Sequence, residues 1–84
     1  MSDNPWGKPT LYRVERGVRT ETIEYKGQSL KIVLSPEGEI VGIYDSFRWV
    51  NGRRHYNLVP IDNVNDRELV VHIERKLSKI TSGI

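Results

Sequence analysis

Asn51-Gly52 stands between two runs of alternating character, Tyr44 to Val50 and Arg53 to Val59. A two-residue type I′ loop needs positive φ at both central residues, which Asn and Gly tolerate, so this dipeptide specifies a tight β-hairpin. The loop length also sets the register: Val50 opposite Arg53, Trp49 opposite Arg54, Arg48 opposite His55, and Phe47 opposite Tyr56. Side chains alternate across a strand, so the two faces separate. One carries Phe47, Trp49, Arg54, Tyr56 and Leu58 and reads as core. The other carries Ser46, Arg48, Arg53, His55 and Asn57 and reads as a solvated basic surface.

Upstream, Lys26-Gly27 joins a threonine-rich, β-branched run (Val18 to Tyr25) to a second alternating run (Gln28 to Leu34), which predicts another hairpin with Ile23 opposite Leu30. Ser35-Pro36-Glu37-Gly38 has Pro at the second and Gly at the fourth position of a type I turn. Pairing Leu34 with Glu39 then sets Ile32 opposite Val41 and Leu30 opposite Ile43. Followed through all three turns, one face collects Ile23, Leu30, Ile32, Leu34, Val41, Ile43, Phe47, Trp49, Tyr56 and Leu58. The pattern implies an antiparallel meander with one buried face. Val33, Ile40, Tyr44 and Val59 break it by clustering on the nominally wet face, with Val33 opposite Ile40 and Tyr44 opposite Val59. Either the sheet curls there toward a barrel, or the four form a protein interface.

Pro60 lacks the N–H that a ladder needs and ends the fourth strand of this meander. Asn65 is the expected helix cap, with Glu68 three residues on, and Leu69, Ile73, Leu77 and Ile80 form a helical stripe. Arg75, Lys76 and Lys79 suit the negative end of the helix dipole, and Gly83 is the expected stop. Leu69 to Ile73 is β-branched enough to form a strand, but the stripe favours a helix lying across the apolar face. A short strand is expected at Leu11 to Glu15, after a lead-in with two prolines and a glycine around Trp6. The fold class is therefore α+β: a bent four- to five-stranded antiparallel meander with one C-terminal helix. Residues 1–10 are the extended lead-in and residues 11–84 the single domain.

The absence of cysteine excludes disulfides, thiolate nucleophiles and the common zinc cages. The start of the chain lacks the order of a secretion signal and no apolar run reaches the length of a membrane span, so a cytoplasmic, intracellular setting is expected. Thirteen Lys and Arg stand against eleven Asp and Glu, a net charge of +2. The distribution is more informative: residues 1–45 hold six bases and seven acids, residues 46–84 seven bases and four acids, and Ser46 to Ile61 contains Arg48, Arg53 and Arg54 with no acid.

Arginine forks match phosphate geometry, and affinity for nucleic acid comes largely from such contacts. The expected function is a small non-enzymatic nucleic-acid-binding module, for DNA or RNA, using Arg48, Arg53 and Lys31 on phosphates with His55 and Asn57 as hydrogen-bonding partners. The alternative is a protein-binding adaptor or inhibitor using Val33, Ile40, Tyr44 and Val59. Phe47, Trp49 and Tyr56 have the chemistry of base-stacking platforms, but sharing a face with Leu30, Ile32 and Ile43 favours the core for them. Arg54 is expected as a cation-π partner at the rim, opposite Trp49. His55 and His72 have no partner at metal-ligand spacing, so neither metal nor cofactor is expected. A metal-free ribonuclease built on Arg53-Arg54-His55-Tyr56 is a weaker third reading, since it lacks a second catalytic base. The outline of a hairpin turning at Tyr25-Lys26-Gly27, further strands and a C-terminal helix is similar to that of the small crenarchaeal chromatin proteins, which bind duplex DNA on a sheet face. That likeness covers element order and one tripeptide, and no binding residue is carried over from it.

Overall fold

The computed structural model describes residues 5–81, with side chains through Leu77. It contains five strands, β1 (Thr10–Arg13), β2 (Arg19–Tyr25), β3 (Gln28–Leu34), β4 (Ile40–Val50) and β5 (Arg53–Pro60). A 3₁₀ turn, Ile61–Asn63, leads to one helix, α1 (Arg67–Thr81). The strands make one antiparallel sheet in the order β1-β5-β4-β3-β2, an open α+β arrangement that does not close into a barrel. Among the described residues no helix is long and apolar enough to cross a membrane.

Both dipeptide turns have the backbone their residues predict. Lys26 and Gly27 have φ of 48° and 81°, Asn51 and Gly52 of 53° and 77°, the left-handed pair that a type I′ loop requires. In the Pro36 turn, the Gly38 N–H donates to the Ser35 carbonyl at 2.8 Å and the Ser35 N–H to that of Glu39 at 2.9 Å.

Two register shifts separate the sheet from an unbroken meander. One lies opposite the Val33/Leu34 step, so that Ile32 pairs with Ile43, Val33 with Gly42 and Leu34 with Ile40. The expected pairs Leu30 with Ile43, Ile32 with Val41 and Val33 with Ile40 do not form. The other falls between Tyr44 and Ser46: Tyr44 faces Leu58, Ile43 faces Val59, and Asp45 is the extra residue. The distal pairs, from Phe47 opposite Tyr56 to Val50 opposite Arg53, are as predicted. A one-residue bulge inverts which face the residues beyond it occupy. Tyr44, Phe47 and Trp49 therefore share one face, although strict alternation would part Tyr44 from the other two.

The core lies on the opposite face, beneath α1. Ile23, Tyr25, Leu30, Ile32, Leu34, Ile43 and Val59 pack against Leu69, Ile73 and Leu77, with Trp6, Ile40, Ile61 and Val64 at the margin. Leu69 to Ile73 is helical, and the cap is Asp66 rather than Asn65: Asp66 Oδ1 accepts the Leu69 N–H at 3.3 Å and its carbonyl accepts that of Val70 at 3.1 Å. The Asn65 N–H donates instead to the Trp6 carbonyl at 2.9 Å, tying the lead-in to the helix start. Trp6 meets Tyr25 edge-on at 6.1 Å, and the Tyr25 hydroxyl donates to Asp66 at 3.3 Å. Burial first, then the Asp66 charge, pushes the Tyr25 phenol above its ordinary value, so it stays a neutral donor. The expected parts of Lys79 and Ile80 in the helix faces and of Gly83 as a stop fall outside the described side chains.

Gly42, paired with Pro60, leaves no room for a side chain between β4 and β5. A Cβ there would run into the Val59 carbonyl oxygen and come within 2.9 Å of Pro60 Cα, both of them backbone of the paired strand. Gly42→Ala is expected to destabilise the fold by about 2 to 3 kcal/mol, at the upper end of ordinary overpacking because backbone must move. A lowered urea midpoint with unchanged slope is the readout, and a midpoint equal to that of the unsubstituted protein would show that the strands separate freely.

Candidate nucleic-acid interface

β4 has eleven residues, but its ladder with β3 runs only from Ile40 to Ile43. From Tyr44 onward it is held by β5, and β5 by β1 on its other side, with Tyr12 opposite Tyr56 and Arg13 opposite His55. This three-stranded extension leaves the helix-covered core, so its side chains lack the cover that α1 gives Ile32 and Ile43. Phe47 is 48% and Trp49 60% exposed. The expectation that both belong to the core is overturned, because the bulge at Asp45 puts them on the face away from α1.

That open face carries a row of rings with two cations over them. Tyr44 and Tyr56 meet edge-to-face at 5.1 Å, and Phe47 and Trp49 at 6.1 Å. Lys31 Nζ stands 5.0 Å from the Tyr44 ring centre and Arg54 Cζ 5.7 Å from that of Trp49, the latter as anticipated from the hairpin register. These six side chains and Thr20 line a shallow cavity of about 240 Å³. Pockets for whole small molecules usually span roughly 300–1,000 Å³. The cavity is better matched to one flat ring than to an enclosed cofactor. Tyr12 adjoins Tyr56, and partial burial, helped by Glu15 and Glu37, holds its phenol above the ordinary value, so it adds no negative charge at neutral pH.

Of the residues expected to bind nucleic acid, Arg48, Arg53, His55 and Asn57 do share a face, the one on the α1 side but beyond the helix. Arg48 and Arg53 are exposed. His55 Nδ1 is 3.2 Å from the Arg53 carbonyl, and Asn57 donates to Asp45 at 3.2 Å, which anchors the bulge. Lys31 is not with them: it lies on the open face with Tyr44. Alternation likewise sets Arg53 and His55 on one face and Arg54 and Tyr56 on the other. Val33, Ile40, Tyr44 and Val59 do not form one exposed patch, since Val33 and Val59 are fully buried, Ile40 packs against the core and Tyr44 opens onto the aromatic face. Arg13, opposite His55 on β1, joins the basic side and was not singled out from sequence, where nothing local shows that β1 pairs with β5.

Comparison with protein-family models, curated proteins and solved structures found no match to this chain.

Proposed function

We propose that this protein is a small non-enzymatic module that binds single-stranded DNA or RNA on the open face of its sheet, alone or as an accessory subunit of a nucleic-acid complex. The observation that carries the reading is the exposure of Phe47 and Trp49 beside Lys31 and Arg54. Every base offers a π face, so exposed rings bind unpaired bases with little regard to sequence, at about 1–3 kcal/mol per stacked base. The two rings are two residues apart on one strand, about 6.6 Å along it, a spacing suited to successive unstacked bases rather than a closed duplex. Lys31 and Arg54 supply charge for the backbone, and Arg48 and Arg53 on the reverse side raise the potential that draws a polyanion in.

The test is a salt titration of binding to a labelled single strand, the matching duplex and an RNA hairpin, with light scattering to fix stoichiometry. Preference for unpaired strands, weakening as salt rises, is the expected result. Preference for the duplex would overturn the open-face reading, since paired bases hide their ring faces. Binding to none of the three would put the protein adaptor ahead of it, with Phe47 and Trp49 as the anchors.

A further inference from the structure

We infer that a concavity where the end of β1 meets the start of β5 is a phosphate site that extends the aromatic face, so that one strand lays its bases on the rings and its backbone along the arginines. Resting on the single-strand reading above, the inference adds where the strand goes next. The concavity is lined by Arg13, Val14, Glu15, Arg16, Arg53 and Arg54. Four arginines and one glutamate among these residues give a local charge of +3 (four minus one). Among the described residues none of the four arginines is in an ion pair, and each of Arg13, Arg16, Arg53 and Arg54 is exposed.

Three elements of different sequence origin build this site. Arg53 and Arg54 follow the Asn51-Gly52 turn, Arg13 ends β1, and Arg16 lies in the turn beyond it, where Gly17 takes φ of 97°. The Val14 N–H donates to the Arg54 carbonyl at 3.1 Å, which holds the β1 end against the hairpin. Arg54 is a wall of both cavities: its guanidinium lies over Trp49, and the residue also lines the arginine concavity. The two sites are therefore adjacent, and guanidinium pairs engage phosphate oxygens in a way that lone lysines do not. The chemistry selected is a phosphodiester backbone continuing from a base held on the rings.

The experiment uses the full chain and its Arg13→Ala/Arg16→Ala variant, titrated with a thymidine dinucleotide and a thymidine dodecamer across a salt series. Neither substituted residue touches the aromatic cavity. The variant is expected to bind the dinucleotide as the unsubstituted protein does, and the dodecamer about tenfold more weakly at low salt, with a salt slope smaller by about 1.4, or about 0.7 for each lost contact on a single strand. Glu15→Gln is expected to shift dodecamer affinity the other way. Unchanged dodecamer affinity and slope in the arginine variant would overturn the inference while leaving the aromatic face standing. Pyrophosphate, followed through the arginine Nε–H resonances, separates the two readings if no oligonucleotide binds. Shifts confined to Arg13, Arg16, Arg53 and Arg54 would keep the anion site and remove its strand, and no shifts would remove both.

Discussion

Phe47→Ala/Trp49→Ala is expected to abolish most single-strand affinity while leaving the fold close to its original stability. Two stacked bases at about 1–3 kcal/mol each amount to roughly 30-fold to more than ten-thousand-fold in affinity, enough to take micromolar binding out of range. Stability should respond little, because about half of the Phe47 surface and more of Trp49 is already in water. The two readouts test the bulge at Asp45 as well as the function. With these rings on the α1 side, as unbroken alternation implies, each truncation would cost about 3–5 kcal/mol, and the two together would remove most of the stability of a domain of this size. Loss of binding with a preserved urea midpoint supports the open face. Preserved binding would remove the rings from the site, and a collapse of stability would return them to the core.

The turns were legible because their chemistry is local. Asn51-Gly52 and Lys26-Gly27 both adopt the left-handed pair, and the hairpin register from Phe47 to Val50 follows from loop length alone. What local chemistry did not show was the bulge between Tyr44 and Ser46, because Asp45 is held out of register by a partner twelve residues away, the Asn57 amide. Its trace was nonetheless present in the sequence. Tyr44 and Val59 look misplaced only if the ladder is unbroken; with one extra residue Val59 joins Ile43 in the core and Tyr44 joins Phe47 and Trp49 outside it. The exceptions to the pattern were thus the evidence for a bulge, and the aromatic face is their consequence.

Long-range choices were less accessible. β1 crosses to the far edge and pairs with β5, which brings Arg13 and Arg16 to the hairpin arginines from forty residues upstream. The sequence shows a basic hairpin but not that its concavity is completed by the end of β1 and the turn after it. The helix cap moved by one residue for a similar reason. Asn65 and Asp66 are both good caps, and the contact between the Asn65 N–H and the Trp6 carbonyl commits Asn65 to the lead-in, leaving Asp66 for the helix.

Ile73→Ala should produce the opposite pattern to the aromatic double substitution: a large loss of stability with the binding face intact. A fifteen-residue helix is marginal on its own, so α1 is held by the stripe it buries. Ile73 is fully buried in that stripe, between Leu69 and Leu77 and against the β2, β3 and β4 residues of the core. Truncation removes about 2–5 kcal/mol from a domain whose total is about 4–13 kcal/mol by size. At about 4–8 °C for each kcal/mol, the melting temperature should fall by about 8–40 °C. Val71→Ala, two residues away at a position 45% exposed, is the matched control and should stay within about 0.5 kcal/mol of the unsubstituted protein. At temperatures where Ile73→Ala is still folded, its single-strand affinity should be unchanged, because Phe47, Trp49 and Arg54 stand on the part of β4 and β5 beyond the helix-covered core. An affinity that falls in step with stability would mean that α1 shapes the open face through the sheet. The aromatic surface would then be a property of the whole fold rather than of the three-stranded extension.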